Sequence, residues 1–423
     1  MFKFKSYYFN PATYLATFEY EGNDGVNFVE KIQFRHSQHQ LDAELLDRAM
    51  FLSFILIGTS YYKAHPTKKV SLKTPLDEFQ AQFFNTVYQE GLSQFAFENQ
   101  LDRNDLAQFE TGSESSPTAI EAQSYSGILS LQSGGKDSLL TATLFQEQNP
   151  SYLYISSSDN HPLVLDELGG ELQIIKREID KTALNRTGGL NGHVPITYIV
   201  ESLALIQAII NHQSTIMTSI GREGNEAHAY IGDLAVNHQW SKTWPAEQLM
   251  SEYVKRYISP DLHIGSPLRG FSELKIAELF AKKCWDGYGH RFSSCNVANY
   301  RQGTNNRELG WCGNCAKCAN TYLLFSPFIE RTELDSLYAN QSLFIKPDLT
   351  GTFKGLLGVD GFMKPFECIG EIDELRQAYE LRLPSYPELP FSVPESHFDY
   401  QKITEMQPYF QNLLNQTGAF NEL

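Results

Sequence analysis

The feature that most constrains this chain is a strand, a glycine turn and a helix start in immediate succession. The apolar run GILSLQ at 127–132 leads into SGGKDS at 133–138, and apolar residues at helical spacing follow. Such a turn directs several backbone N–H groups and the positive end of a helix dipole at one point, which favours a phosphate group. The alternative is an ordinary strand-to-helix turn, in which glycine supplies a positive φ and Asp137 or Ser138 caps the helix. The order of two serines, two glycines and one aspartate favours the phosphate site.

The hexapeptide is not a Walker A loop, which requires a serine or threonine after its lysine, where this chain has Asp137. It resembles the pyrophosphate loop of the PP-loop ATP pyrophosphatases, enzymes that cleave ATP between the α and β phosphates. The resemblance implies that the amides of 134–138 hold the leaving pyrophosphate, and that the side chains add hydroxyl donors, charge and a Mg²⁺ ligand. The expected nucleotide-binding residues are Ser133, Gly134, Gly135, Lys136, Asp137 and Ser138.

Short apolar runs alternate with helical patterns after the loop, which is typical of a parallel sheet with helices on its faces. The expected strands are 128–132, 152–156, 172–176 and 215–220, and the helix with the clearest periodicity is 196–211. Ligands of such sheets bind beyond the carboxyl ends of the strands, so the glycine loop, Ser156 and 219–225 should meet there.

The remaining segments predict further units around this sheet. Residues 2–34 have the pattern of aromatic-rich strands, and helical patterns follow at 41–57 and 75–97. The predicted fold is α/β, with a central parallel-sheet PP-loop (HUP-like) domain, an α+β N-terminal domain and a small C-terminal region with a Cys-rich knuckle. The predicted boundaries are 1–105 for the N-terminal domain, 106–126 for a linker, 127–290 for the ATP-binding domain, 291–330 for the knuckle and its helix, and 331–423 for the C-terminal region.

Four of the six cysteines lie in one segment, as metal ligands do, rather than spread as a disulfide framework. They are Cys295, Cys312, Cys315 and Cys318. Paired C-x-x-C steps turn two thiolates onto one tetrahedral ion, and a thiolate from a preceding loop can close the site. Structural Zn²⁺ is the favoured interpretation, with an iron–sulfur cluster or no metal as alternatives.

The charge balance bears on the partners. The chain has a formal net charge of −16 and no long Lys/Arg run, which disfavours a nucleic-acid partner and favours a small-molecule substrate. No apolar run is long enough to span a bilayer, and residues 1–6 lack the apolar segment of a signal peptide. We therefore expect a cytoplasmic protein without a membrane partner.

Seven segments in chain order are similar to the MurL family, the UDP-N-acetylmuramoyl-L-alanyl-L-glutamate epimerases. They are SGGKDS, GHVPIT, VNHQWSK, SPLRGFSELKIA, SSCN, WCGNCAKC and KPFECIGE. The resemblance runs from the glycine loop to about residue 377. It is loosest at 219–225, where this chain reads SIGREGN and the family carries a Ser-Asn-Glu segment, so a changed substrate preference is possible.

The family resemblance implies an ATP-consuming inversion of a terminal L-glutamate to D-glutamate, with AMP and pyrophosphate as products. A Cα–H beside a carboxylate is scarcely acidic, because its removal would build a dianion. Adenylation of the carboxylate removes that charge, so that an ordinary side chain can take the proton. Reprotonation from the other face inverts the centre, and hydrolysis releases AMP.

The resemblance and the local polar clusters together give candidate roles. The proton-transfer candidates are His193, Glu223 and His238, with Cys368 as an outsider, and Asp137 is the expected catalytic Mg²⁺ ligand. Ser156 is expected at the adenosine, and the expected substrate ligands are Arg222, Lys242 and Arg269, because guanidinium forks suit carboxylates and diphosphates. The sequence does not choose among the proton-transfer candidates.

Three other functions compete with an epimerase. A ligase of the 7-cyano-7-deazaguanine synthase type also joins an SGG-x-DS loop to a Cys-rich site, but those ligases are shorter. A tRNA-thiolating enzyme is disfavoured by the acidic balance. A non-enzymatic nucleotide sensor is disfavoured by the intact loop and Asp137.

Overall fold

The structure of the protein is a computed structural model that describes residues 1–113, 117–158, 160–299 and 307–418, with the backbone but not the side chain of Glu223. These residues form a large, mostly parallel sheet against which helices pack. The mixed α/β class expected from the alternating patterns is therefore confirmed.

The strands of the structure include all four that were expected between residues 128 and 220, and the last of these ends at Met217 rather than at residue 220. Their bounds are β1 (Phe2–Asn10), β2 (Leu15–Glu21), β3 (Asn27–Gln33), β4 (Val70–Ser71), β5 (Ile128–Leu131), β6 (Ser151–Ser156), β7 (Leu172–Glu178), β8 (Thr215–Met217), β9 (Ala229–Ile231), β10 (Leu234–Val236) and β11 (His263–Gly265).

Within the described residues, nine strands form one sheet in the order β11-β8-β5-β6-β7-β3-β2-β1-β4. The strands from β11 to β7 are parallel, and β3, β2 and β1 continue the sheet as an antiparallel meander. The remaining pair, β9 and β10, is a separate hairpin that the sequence patterns did not predict. Since β5 lies between β8 and β6, its carboxyl end opens at the middle of the parallel part.

The junction between the meander and the parallel strands is held by a buried ion pair. Strand β3 pairs with β7, with Ile32 opposite Arg177. The Nε of Arg177 lies 2.6 Å from Oε1 of Glu30, and its Nη2 donates to Ser60 Oγ at 3.1 Å. Because this pairing carries the sheet across the expected linker at 106–126, the N-terminal strands share one sheet with the strands of the expected ATP-binding domain. The division into domains stays a prediction.

The helices lie between and after the strands. Their bounds are α1 (Ala43–Tyr62), α2 (Glu78–Glu90), α3 (Ser93–Glu98), α4 (Lys136–Leu144), α5 (Lys181–Thr187), α6 (Ile196–Ile210), α7 (Trp244–Tyr257), α8 (Glu273–Lys283), α9 (Trp285–Tyr288), α10 (Asn296–Asn299), α11 (Ala316–Phe325), α12 (Arg331–Ser336), α13 (Thr350–Leu356), α14 (Ile372–Glu380) and α15 (Pro408–Gln416).

The core of the N-terminal half is aromatic and centres on α1. This helix begins after the capping side chain of Asp42, which accepts the N–H of Leu45, and it is buried along almost its whole length. Helix α6 packs beside it, and Phe4, Tyr20 and Phe54 meet with ring centroids 5.2–6.0 Å apart. Helices buried on all sides fix the sheet from one face and so position the loops at its carboxyl edge.

A second core joins the C-terminal half to the parallel strands. Helix α11 packs against α8, α13 and α14, and α4 packs against α8. This core brings the cysteine segment and the residues before α14 to the edge of the sheet where the glycine loop lies. Among the described residues, no helix combines the length and apolar character that crossing a bilayer requires.

Candidate active site

A cavity of about 480 Å³ opens at the carboxyl ends of β5, β6 and β8. Its volume falls in the range of small-molecule sites. Apolar side chains from the three strand ends and from α6 form much of its wall; they include Leu131, Leu153, Ile155, Val200 and Ile220. Such a wall suits the flat face of a base.

The glycine loop forms one end of this cavity, as the sequence predicts. Ser133, Gly135, Asp137 and Ser138 line it, and α4 begins directly after Gly135. Among the described residues, no side chain caps this helix start, so its first N–H groups are available to an anion. Gly134 has φ +79°, and a Cβ there would approach the Cδ1 of Leu309 to 2.5 Å, so only glycine fits.

A buried lysine joins two carboxylates at the loop end. The Nζ of Lys136 lies 2.6 Å from Oδ1 of Asp137 and 3.2 Å from Oε1 of Glu273. Lys136 is only 7% exposed, and both carboxylates border the cavity. The loop therefore combines oriented amides, one cation and two acids, which is a setting for phosphates and a divalent cation.

A second acid lies directly behind Glu273. Glu374, on α14, is fully buried, and its Oε1 accepts the N–H of Leu274 at 2.7 Å at the start of α8. Burial and the neighbouring Glu273 raise the pKa of Glu374 from 4.5 to about 8. Glu374 is thus mostly protonated at neutral pH and adds little negative charge to the loop end.

Two lysines and a thiol also line the cavity. Lys242 follows the turn before α7, Lys317 lies in the first turn of α11, and Cys368 precedes α14. The segment around Cys368 is held in place because the carbonyl of Ile369 accepts from Gln239 Nε2 at 3.0 Å. These side chains add two cations and one thiol to the cavity wall.

Three histidines form a cluster, and Lys242 and Lys317 act electrostatically on one of them, His238. The rings of His193 and His238 are 4.4 Å apart, and His228 lies 5.8 Å from His238. Burial, followed by nearby positive groups, lowers the pKa of His193 to about 3. Burial lowers the pKa of His238 to about 4, with Lys242 and Lys317 adding to the decrease against the opposite effect of Glu367. All three rings are therefore neutral near pH 7, since burial lowers the pKa of His228 to about 3 as well.

The hydrogen bonds fix the tautomer of His238. Its Nδ1 lies 2.6 Å from Oε1 of Gln94, whose Nε2 donates to Oε1 of Glu98 at 2.8 Å. Because Gln94 presents its oxygen, the Nδ1 of His238 carries the proton and Nε2 keeps its lone pair. His193 and His238 come together as expected, although neither is among the described residues that line the cavity.

The two expected arginines lie away from the cavity wall. Arg269 is 1% exposed and paired through Nε with Oε2 of Glu247 at 2.9 Å, and its Nη1 donates to the carbonyls of Gly221 and Lys242. It therefore holds the turn after β8 against the segment of Lys242. Arg222 stacks on the ring of Phe398, with its Cζ 4.2 Å from the centroid. As substrate ligands, both stay predictions.

Two other expected residues are placed as follows. Ser156 lies at the end of β6, where its Oγ donates to the carbonyl of Asn160, while the preceding Tyr154 and Ile155 reach the cavity. Its contact with adenosine stays a prediction. The side chain of Glu223 lies outside the described residues, so its role stays a prediction too.

The four clustered cysteines converge on one point. Their Sγ atoms all lie within 4.8 Å of one another, with 3.7 Å between Cys295 and Cys315, 3.7 Å between Cys312 and Cys318, and 3.5 Å between Cys315 and Cys318. Four thiolates around one zinc ion at about 2.3 Å are separated by about 3.8 Å along each tetrahedral edge. The cluster therefore fits one tetrahedral ion, and none of these cysteines forms a disulfide.

The cysteine cluster is connected to the glycine loop through the backbone. Ser293, two residues before Cys295, donates its N–H to the carbonyl of Gly134 at 3.2 Å. The next residue, Ser294, lines the cavity. At the other side of the cluster, Lys317 stands between two of the thiols. A metal at this point would brace the parts of the cavity wall that contain Ser294 and Lys317.

Sequence reasoning missed Glu273 and Lys317. Both stand inside segments that it singled out, Glu273 directly after the α8 cap Ser272 and Lys317 within the second C-x-x-C step. The sequence shows that both residues are charged. It does not show that they line one cavity, because that depends on how α8 and α11 pack.

Comparisons with known proteins cover most of the chain. Residues 1–266 match the model of the MurL N-terminal domain, and residues 291–386 match that of the MurL C-terminal domain. The chain is 33% identical over 384 residues to the UDP-N-acetyl-alpha-D-muramoyl-L-alanyl-L-glutamate epimerase of a Micromonospora species, covering 88% of this chain and 84% of that protein. It is 30% identical over 392 residues to the enzyme of the same name from Xanthomonas oryzae pv. oryzae, covering 89% and 84%.

A further relative of the same name, from Salinispora tropica, is 30% identical over 385 residues, covering 88% of this chain and 82% of that protein. The matched segments include the glycine loop, the cysteine cluster and the segment around Cys368. Agreement at both ends of the chain, and with relatives over most of their own length, shows that this chain belongs to the MurL family.

Proposed function

We propose that this protein is an ATP-dependent epimerase that inverts the terminal L-glutamate of UDP-N-acetylmuramoyl-L-alanyl-L-glutamate to D-glutamate and releases AMP and pyrophosphate. The observation that carries the proposal is the cavity of about 480 Å³, which is lined both by a helix start without a side-chain cap and by Lys242 and Lys317. In a member of the MurL family, these features suit the phosphates of ATP and the carboxylates of a glutamate.

The first step joins the substrate to the nucleotide. An oxygen of the glutamate α-carboxylate attacks the α-phosphorus of ATP, a P–O bond forms, and the bond to the pyrophosphate breaks. The backbone amides at the start of α4 would hold the leaving pyrophosphate, with Lys136 beside them. When bound, Mg²⁺ neutralises phosphate charge, and Asp137 is the residue that would hold it.

The second step inverts the centre. The mixed anhydride no longer carries the carboxylate charge, so the Cα proton moves to a side chain and another proton is delivered to the opposite face. Water then cleaves the acyl–phosphate bond and releases AMP. The sum is one ATP and one water consumed for each inversion, with AMP and pyrophosphate formed.

His238 and Cys368 are our candidates for the two proton transfers. The Nε2 of His238 has a free lone pair, and Cys368 borders the cavity on a segment from the C-terminal half. In this proposal the two groups act on opposite faces of Cα. An anion bound by Lys242 and Lys317 would also raise the low pKa of His238, since those lysines help to lower it.

The cysteine cluster is proposed to hold structural Zn²⁺. A four-thiolate site is closed to substrate, so the ion would brace the fold rather than take part in the reaction. The separations of 3.5–3.7 Å favour a single ion over a multi-iron cluster, in which each thiolate ligates a different iron.

The reaction is tested by incubating the protein with ATP, Mg²⁺ and UDP-N-acetylmuramoyl-L-alanyl-L-glutamate. We expect AMP and pyrophosphate in amounts that depend on this substrate, and D-glutamate after hydrolysis of the product. A deazapurine carboxylic acid is the control acceptor for the ligase alternative. Formation of ADP and orthophosphate alone would rule out the proposal.

The proton-transfer pair is tested by exchange of the Cα proton with deuterated water. Cys368→Ala and His238→Ala should each lose net epimerisation by about 10²- to 10⁴-fold. Each should still exchange the proton of one epimer, and a different one for each variant. His263→Gln, a half-buried histidine stacked on Tyr409, is the control. Full exchange by either variant from both epimers would remove that residue from the pair.

A further inference from the structure

Lys317 is a half-buried lysine within the cysteine segment. It lies in the first turn of α11, between Cys315 and Cys318, and its side chain reaches the cavity wall. Among the residues that the structure describes, it forms no hydrogen bond or ion pair. A half-buried ammonium without a carboxylate partner is a binding point for an anion from outside the protein.

Lys242 and Lys317 line the cavity, and Lys136 lies at the glycine loop. Lys136 is occupied at the glycine loop, where it bonds to Asp137 and Glu273. Lys317 and Lys242 instead act together on His238, whose pKa both of them lower. The carboxylate of Glu367, which also faces His238, accepts from Asn296 Nδ2 at 3.3 Å. Lys136 is therefore held by carboxylates of the protein, whereas Lys317 faces the cavity and can meet a second anion.

The proposed reaction supplies that second anion. Activation must take the α-carboxylate, because the proton that moves is on the carbon beside it. The side-chain carboxylate of the same glutamate stays ionised throughout. It needs a cation that is not already engaged with the phosphates of ATP. Lysine offers a mobile point charge that can follow this group while the centre inverts.

We infer that Lys317 binds the side-chain carboxylate of the terminal glutamate and makes the enzyme select glutamate over glutamine at that position. This specificity role rests on the proposed function. It gives the cysteine cluster a second task, since the turn between two of its thiols delivers the recognising residue.

The test compares two substrates that differ only at the carboxylate in question. UDP-N-acetylmuramoyl-L-alanyl-L-glutamate and its L-glutamine-terminated analogue are assayed with wild type, Lys317→Met and Lys317→Arg. Lys317→Met should lower kcat/KM for the glutamate substrate by roughly 10- to 100-fold, mainly through KM, and change the glutamine analogue less than about threefold. Lys317→Arg should recover most of the selectivity.

A matched control separates recognition from a structural role near the cysteines. The Nζ of Lys346 donates to the carbonyl of Gly313 in the same knuckle at 2.9 Å, but Lys346 is not among the described residues that line the cavity. Lys346→Met should keep the selectivity of wild type. Metal content and Tm of both methionine variants are measured in parallel. If Lys317→Met loses both substrates equally, or loses metal in proportion to activity, Lys317 serves the thiolates and the inference is wrong.

Binding measurements keep this test independent of the proposed reaction. Calorimetry with the dipeptides L-Ala-L-Glu and L-Ala-L-Gln should show a preference for the glutamate peptide that Lys317→Met abolishes. A wild type that shows this preference but releases no AMP with the muramoyl substrate would overturn the proposed function and keep the glutamate subsite. Equal binding of the two peptides by wild type would overturn the subsite.

Discussion

Individual side chains at the glycine-loop end show how burial sets charge. Glu374 has no exposed surface, and its Oε2 has no hydrogen-bond partner among the described residues. Protonation removes the cost of a buried charge there, which is why its pKa rises to about 8. In its protonated form, Glu374 accepts the N–H of Leu274 at the start of α8 without adding a negative charge beside Glu273.

This leads to a pH-dependent prediction. A carboxyl whose folded-state pKa is raised binds protons more tightly in the folded state, so its contribution to stability is present at low pH and is lost as pH rises from 4.5 to about 8. Glu374→Gln cannot ionise. Relative to wild type, its free energy of unfolding should therefore increase by roughly 2–5 kcal/mol between pH 4.5 and 9.

The measurement is urea unfolding at several pH values. Glu388→Gln, which makes the same change on a side chain that is 85% exposed, is the control and should follow wild type at every pH. A difference between Glu374→Gln and wild type that stays constant from pH 5 to pH 9 would contradict the assignment of a raised pKa.

Residue chemistry alone did not predict how the charged side chains are paired. Arg269 was expected to bind substrate because a guanidinium suits anions; in the structure it is paired with Glu247, and its contact with substrate stays a prediction. Lys317 has the same charge and faces the cavity. Within the described part of the chain, the two residues differ in whether a carboxylate of the protein is paired with them. Packing between segments far apart in sequence decides this.

At the scale of elements, the pairing of β3 with β7 is the contact that joins the two parts of the sheet. Glu30 and Arg177 are buried at this junction, and burial without a partner would leave an uncompensated charge. Breaking such a pair by removing one partner costs about 3–5 kcal/mol.

We therefore expect Glu30→Ala to lower the free energy of unfolding by about 3–5 kcal/mol, because it leaves the buried charge of Arg177 without its carboxylate partner. Lys3→Ala removes a partly exposed pair with Glu21 on the same sheet and should cost less than about 1 kcal/mol. Chemical denaturation of both variants gives the comparison. Similar small losses in both would show that the junction does not depend on the ion pair.

The positions of helices and strands were easier to predict from the sequence than the pairing between strands. The strand at 172–176 and the helix at 196–211 were visible because apolar periodicity is a local property. The pairing of β3 with β7 was not, since Glu30 and Arg177 are 147 residues apart and nothing in either strand names its partner. The hairpin of β9 and β10 was missed because strands of three residues are too short to show alternation.

At the scale of the whole molecule, the cysteine cluster and the cavity at the glycine loop form one unit. The backbone hydrogen bond from Ser293 to Gly134, and the position of Lys317 between two thiols, connect the cysteine segment to the cavity wall. The family matches include both regions.

This coupling predicts that loss of the metal weakens nucleotide binding. Cys318→Ser should reduce bound zinc below one ion per chain, lower Tm, and weaken ATP affinity by about 10-fold or more, because the segment that holds Gly134 loses its brace. Cys284→Ser, a buried thiol outside the cluster, should keep full metal content. Metal analysis and calorimetry with ATP are the measurements. Normal ATP affinity in zinc-free Cys318→Ser would contradict the coupling.

The continuous sheet also has a consequence during synthesis on the ribosome. Strand β3 leaves the exit tunnel 147 residues ahead of the strand that covers its edge, judged by Glu30 and Arg177. At typical translation speeds of about 5–20 residues per second, that edge stays open for roughly 7–30 s. During this interval the nascent N-terminal meander has unpaired backbone groups along the β3 edge. This is therefore when the growing chain most needs a chaperone.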